Sequence, residues 1–193
     1  LTVQLGHEPS DEECKFHTIC LLDDFTASGT SYIRLENQEW DGKIPKILQK
    51  LCEEDGALSK LVAKSNLDVL VCIYVAADQA VRHITSELQK YNFPKGKVCL
   101  KVVHALPSDT RLDASKDAKI IAIAKDDRYL DKEVDDEHAD VGGASKRLGY
   151  AECGLPVILT HNTPNNSIYL LWGEYDQAFT GLFPRVSRHR RGG

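Results

Sequence analysis

No methionine occurs among the 193 residues of this chain. A complete natural protein starts with one and usually keeps several inside. The sequence therefore reads as an excerpt of a longer protein, or as one from which residues were dropped, and Leu1 is not taken as a natural start. Long apolar runs are missing too. None approaches the roughly 20 residues that a membrane-spanning helix needs, and no secretory leader is visible, so no membrane contact and a cytoplasmic home are expected. No C-x-x-C pair exists. The six cysteines stand scattered at 14, 20, 52, 72, 99 and 153, and Cys20, Cys72 and Cys99 fall in predicted strands as small core residues would. Reduced thiols and no structural zinc follow. Repeats and low-complexity linkers are absent as well, so one domain over 1–193 is expected. A basic excess is also lacking: the net charge is −5, which argues against general nucleic-acid binding.

What is present suits a soluble globular chain, with 42% hydrophobic and 27% charged residues. The charge is uneven. The segment Asp126 to Asp140 is strongly acidic and the tail Arg185 to Arg191 is basic. The tail reads either as a solvated end or as a phosphate, nucleic-acid or partner contact.

The most informative stretch is Thr18-Ile19-Cys20-Leu21-Leu22-Asp23-Asp24-Phe25-Thr26-Ala27-Ser28-Gly29-Thr30-Ser31. Ile19 to Leu22 reads as a buried parallel strand. Asp23 and Asp24 end it, close enough to accept hydrogen bonds from two neighbouring sugar hydroxyls. Ala27, Ser28, Gly29, Thr30 and Ser31 then offer backbone N–H groups and hydroxyls at an expected helix N-terminus, a ready anion site. A diol site and a phosphate site on one loop imply a ribose 5-phosphate ligand. The plain alternative is a strand–turn–helix junction with a solvated Asp pair. Arg34 and Lys43 follow closely enough to reach a phosphate, yet lone basic residues on a helix face usually point into solvent.

Two elements alternate after this motif. Lys43 to Lys64 has helical spacing with a break near Asp55-Gly56, Leu67 to Ala76 reads as a central strand, Ala77 to Tyr91 as an amphipathic helix, and Val98 to Ala105 as a third strand. Lys119 to Ala124 is a possible fourth. The β-α-β-α-β order predicts an α/β fold: an open, mainly parallel sheet with helices on both faces and ligands at its carboxyl edge. Asp126 to Leu148 reads as polar helix, and Leu155 to Thr160 and Ser167 to Trp172 as late strands. His104 is expected to be a buried or rim residue, and Tyr74 and Trp172 core residues rather than stacking platforms.

Between the late strands lies His161-Asn162-Thr163-Pro164-Asn165-Asn166. Asn162, Asn165 and Asn166 each carry a donor and an acceptor, which suits reading a base edge. Asn and Pro are also ordinary turn residues. The functional reading needs this segment on the same sheet edge as Asp23.

At Asp23 to Ser31 the chain resembles the type I phosphoribosyltransferases, whose signature is an apolar strand, an acidic pair and a small Thr/Ser-Gly turn. The combination DDFTASGTSYIR, YVAA and GYAECGLPVILTHNTPNNSIYLLW resembles one phosphoribosyltransferase-like family found beside bacterial defence and conflict systems. That resemblance covers most of the chain. It implies a single phosphoribosyltransferase-like domain over 1–193, with Asp23 and Asp24 as candidate catalytic residues on the ribose hydroxyls and Ala27 to Ser31 cradling the 5-phosphate. The implied ligand is phosphoribosyl pyrophosphate or a related ribose-phosphate or nucleotide, with Mg²⁺ carried on the ligand and no protein group binding the metal directly. The implied activity is transfer of phosphoribose to a nitrogenous base or its cleavage from one. The alternative is a non-catalytic nucleotide-sensing or interaction module that works with a partner protein of a larger defence assembly. Two parts expected of an active transferase, an upstream pyrophosphate loop and a Lys- or Arg-bearing lid, have no obvious match here.

Overall fold

Alternation sets the first strand. Thr18–Thr26 (β1) turns Ile19, Leu21, Asp23 and Phe25 to a half-buried face and Cys20, Leu22 and Asp24 to an exposed one. The computed structural model describes residues 6–129, 146–175 and 179–183. They fall into two compact units, Leu1–Leu106 and Pro107–Gly193.

In the first unit β1 runs on past the acidic pair and ends at Thr26. No helix starts after Ser31. A small hairpin intervenes, Arg34–Glu36 (β2) against Glu39–Asp41 (β3). Its two turn residues, Asn37 and Gln38, both take positive φ, 50° and 68°, as a primed two-residue turn demands. Helix Lys43–Cys52 (α1) follows. It is shorter than its apolar spacing suggests; beyond it Leu58 and Leu61 lie in turns and Val62 bridges Phe16. Then come Leu67–Ala77 (β4), Asp78–Lys90 (α2) and Gly96–Leu106 (β5). The predicted central strand, amphipathic helix and third strand are all present.

β1, β4 and β5 form an open three-stranded sheet in that order, parallel throughout. Because the strands are parallel, β1, β4 and β5 all end on one carboxyl edge. Both helices cover one face: Ile44, Leu48 and Leu51 of α1 and Ile84 of α2 are buried in one cluster with Val69, Val71 and Ile73 of β4. Each such side chain contributes about 1.5–3 kcal/mol of burial. The opposite face of this unit is open. Leu22 is 78% exposed and Val103 55%. Cys20 and Cys99 are exposed and Cys72 half-buried there, so these strand cysteines are not the core residues their setting suggested. Tyr74, expected in the core, is 56% exposed and meets His104 edge-on at 5.0 Å.

The second unit is less regular. Its described parts are 3₁₀ turns at Ser108–Thr110, Asp127–Tyr129, Lys146–Leu148 and Tyr150–Glu152, helices Ala118–Ala124 (α3) and Tyr169–Trp172 (α4), and a two-residue pairing of Glu174–Tyr175 (β6) with Phe179–Thr180 (β7). Three expected strands are corrected here. Lys119 to Ala124 is helix, and only Ala124 of α3 is buried. Ser167 to Trp172 ends in helix α4. Leu155 to Thr160 contributes only two isolated bridges, Leu155 to Ser167 and Leu159 to Asn162. Most of the polar helix expected over Asp126 to Leu148, and the basic tail, lie outside the described residues. Among the described residues no helix is long and apolar enough to cross a membrane.

Candidate functional site

The pleat decides what the acidic pair can do. Successive strand side chains point to opposite faces, so Asp23 faces α1 while Asp24 faces the open side. Asp23 is already engaged. Its Oδ2 accepts the phenolic hydrogen of Tyr32 at 2.5 Å and the ammonium of Lys43, and its Oδ1 accepts the Asp24 N–H at 3.1 Å. Burial pushes the Asp23 carboxyl up, but the Lys43 and Tyr32 hydrogen bonds and the Lys43 charge outweigh it and hold it below the usual carboxylate range. Tyr32 is pushed the other way, upward, by burial first and then by the Asp23 bond and the two carboxylate charges.

Tyr32 is a hinge point of this network. Its N–H bonds the Gly29 carbonyl at 3.0 Å, and its own carbonyl accepts the Ile44 N–H at 2.9 Å. The chain approaches so closely that a Cβ on Gly42 would lie 2.5 Å from the Tyr32 oxygen, which only glycine accommodates. Lys43 closes the circuit. Its backbone N–H bonds the Ser31 carbonyl at 3.0 Å, its ammonium pairs with Asp23, and it stands 4.8 Å over the Tyr32 ring. A cavity of about 370 Å³ runs along the outer edge of β1, lined by residues 20–23 with Tyr32, Lys43, Ile44 and Ile47.

The loop Ala27 to Ser31 lies at the carboxyl edge of the sheet, resting on α2. Gly29 has φ +80°, and a Cβ there would meet the Ala80 carbonyl and Ile84 at 3.0 Å. Ala27 and Gly29 are buried, Ser28 and Thr30 half-buried, and Ser31 exposed. Two loop amides are satisfied by hydroxyls: Gly29 N–H by Thr26 Oγ1 at 3.2 Å and Thr30 N–H by Ser28 Oγ at 3.4 Å. Ser28 and Thr30 hydroxyls are 2.9 Å apart. Arg34 braces the loop by donating to the Thr30 carbonyl at 3.4 Å, and it pairs with Glu36 and Asp41. The His83 ring donates to the Ile33 carbonyl at 2.8 Å.

The Asn segment is built into the second unit. Leu159 and Asn162 exchange backbone hydrogen bonds at 3.0 and 3.2 Å around a tight turn. The Asn165 carbonyl accepts the Tyr150 N–H at 2.9 Å. Asn166 Nδ2 points at the buried Cys153 sulfur, 3.8 Å away. Asn162 Oδ1 is buried and accepts no hydrogen bond from the described residues. Trp172 is half-buried, its Nε1–H on the Ser167 carbonyl at 2.9 Å.

The sequence singles out the acidic pair and the small loop, leaves Lys43 either within reach of a phosphate or solvated, and does not single out Tyr32. The available signal was an aromatic residue directly after a small-residue loop, at Ser31-Tyr32. Among the described residues no group of three or more His, Cys, Asp or Glu side chains gathers to hold a metal ion.

No curated protein and no solved structure matches the chain. The sequence model of one family, PRTase-CE, matches residues 4–185, nearly the whole chain and both of its units. With the acidic pair in its first strand, its small-residue loop and an open parallel sheet, the chain belongs to the PRTase-CE family, a phosphoribosyltransferase-like family.

Proposed function

We propose that the chain binds a ribose 5-phosphate ligand, phosphoribosyl pyrophosphate or a close relative, at the carboxyl edge of its first-unit sheet. One observation carries this reading: the hydroxyls of Thr26, at the end of β1, and of Ser28 occupy two loop N–H groups that a phosphate would take over. The 5-phosphate sits on the Ala27 to Ser31 loop, with the Gly29 and Thr30 N–H groups turned to it. Asp24 and the remaining lone pair of Asp23 Oδ1 accept the ribose hydroxyls. Mg²⁺ would be carried on the ligand's diphosphate, as the resemblance implies. In an active enzyme the ribose C1–pyrophosphate bond would break and a C1–nitrogen bond to a base would form, releasing pyrophosphate, or the C1–nitrogen bond would break with water or pyrophosphate taking the base's place. The defence setting rests on the resemblance of the DDFTASGTS and HNTPNN segments.

A second reading, a nucleotide sensor that acts on a partner protein, is favoured by a different observation. The segment expected to meet an acceptor base spends the Asn165 carbonyl and the Asn166 amide inside its own unit. A sensor needs no acceptor. Calorimetric titration with phosphoribosyl pyrophosphate, with and without Mg²⁺, followed by product analysis against a nucleobase panel, separates the two. Binding with turnover is the enzyme, and binding without turnover is the sensor. Absence of binding overturns the ligand assignment itself.

A further inference from the structure

Lys43 joins the two halves of the candidate site. The acidic pair and the small loop are consecutive in sequence, but Lys43 arrives from twelve positions beyond Ser31 and touches both. Its backbone N–H holds the Ser31 carbonyl at 3.0 Å. Its ammonium is on Asp23 Oδ2. The backbone anchor fixes the root of the side chain at the loop while the tip stays accessible, since the Lys43 side chain is 58% exposed. Asp23 does not depend on it alone, because Tyr32 and the Asp24 N–H hold the same carboxylate. Arg34, the other cation near the loop, already has Glu36, Asp41 and the Thr30 carbonyl.

We infer that Lys43 is the ligand-binding cation of this site, resting on Asp23 in the free protein and swinging to the phosphate of a bound ribose 5-phosphate. A half-exposed ion pair is easily exchanged. A phosphate oxygen offers the ammonium more charge than a carboxylate already shared with a tyrosine. The inference rests on the proposed ligand and adds to it the residue that neutralises the phosphate. When Lys43 leaves, Asp23 Oδ2 gains a lone pair for a sugar hydroxyl, so phosphate and ribose recognition are coupled through one side chain.

The test is calorimetric titration of wild type, Lys43→Met and Lys43→Arg with ribose 5-phosphate and with 2-deoxyribose 5-phosphate, after circular dichroism has confirmed the fold of each variant. Lys43→Met keeps the apolar stem over Tyr32 and loses the charge. The expected result is a loss of about tenfold or more for both sugars, restored in large part by Lys43→Arg. If Lys43→Met binds both ligands as wild type does, Lys43 is a surface ion-pair residue and the inference fails alone. A loss confined to ribose 5-phosphate shows that Lys43 serves only to place Asp23, and this too overturns it. If wild type binds neither sugar phosphate, the proposed ligand fails and takes the inference with it.

Discussion

Tyr32→Phe removes one hydroxyl and nothing else, and its effect can be worked from the structure. The ring is 3% exposed and stays packed in the variant. What is lost is a 2.5 Å hydrogen bond to a carboxylate. Such a bond contributes about 1.5–3 kcal/mol, and the lower end applies because the Asp23 side chain keeps 29% of its surface in solvent. A loss of about 1.5 kcal/mol corresponds to a fall of roughly 3–6 °C in Tm for a chain of this size. The pH dependence gives the bond a signature. Tyr32 holds its proton more tightly folded than unfolded, so its contribution is whole below the ordinary tyrosine value of 10.0 and is lost as pH rises beyond it. Urea unfolding of wild type and variant from pH 7 to 11 should show a constant gap that closes only above about pH 10. Tyr91, whose hydroxyl is also pushed up, affects both proteins equally and cancels in the difference. A gap that is absent at pH 7, or that widens on the alkaline side, would refute the account of Tyr32 as a donor to Asp23.

Other outcomes follow from the same geometry. Gly29→Ala places a Cβ at 3.0 Å from the Ala80 carbonyl on a residue with φ +80°, so urea midpoints should report a loss of about 1–2 kcal/mol; an unchanged midpoint would mean the loop does not rest on α2. Asp23→Asn should flatten the acid limb of stability, because the Asp23 contribution is present above 3.8 and lost as pH falls through its lowered folded value; a limb identical to wild type contradicts the pairing. Asp24→Asn, on the exposed face, should change the urea midpoint by less than about 0.5 kcal/mol while weakening ribose 5-phosphate in calorimetry; normal affinity would remove Asp24 from the sugar site. Asn166→Ala should lower stability by about 0.5 kcal/mol through its weak bond to Cys153, read by thermal melting; a stable variant with lost ligand affinity would return Asn166 to the binding site.

The parts of the fold that were legible in the sequence have one physical period each. Leu67 to Ala76 is an apolar β-branched run, and Ala77 to Tyr91 repeats its apolar residues at helical spacing, so both were readable within a residue or two. The hairpin at Arg34 to Asp41 was not, because its strands are three residues long, too short for any alternation to register. Lys119 to Ala124 misled for the opposite reason. Its run of Ile and Ala is apolar enough for a strand, and at six residues periodicity cannot separate strand from helix. Within the candidate site, the residue types of Asp23, Asp24 and Ala27 to Ser31 stand out in the sequence, and Lys43 stands out only as a basic residue nearby. The contacts of Tyr32 and Lys43 with Asp23 are not legible there, because they come from a chain reversal: the hairpin carries the backbone out and back, and Gly42 lets it close on Tyr32. Nothing in local spacing encodes that return.

The position of β1 at the end of the sheet has a consequence for handling the protein at high concentration. Among the described residues no strand pairs with its outer edge, so alternate backbone N–H and C=O groups of a nine-residue strand are available to template another chain. The apolar window Ile19 to Leu22 is the kind of segment from which intermolecular pairing starts. Asp23 and Asp24 end that window and act as its gatekeepers, since stacking identical strands would stack their charges. The protection is therefore electrostatic and acid-labile. Because Lys43 and Tyr32 hold the Asp23 carboxyl below its ordinary range, it should outlast that of a solvated Asp as pH falls, and light scattering should rise only when Asp23 itself takes up its proton.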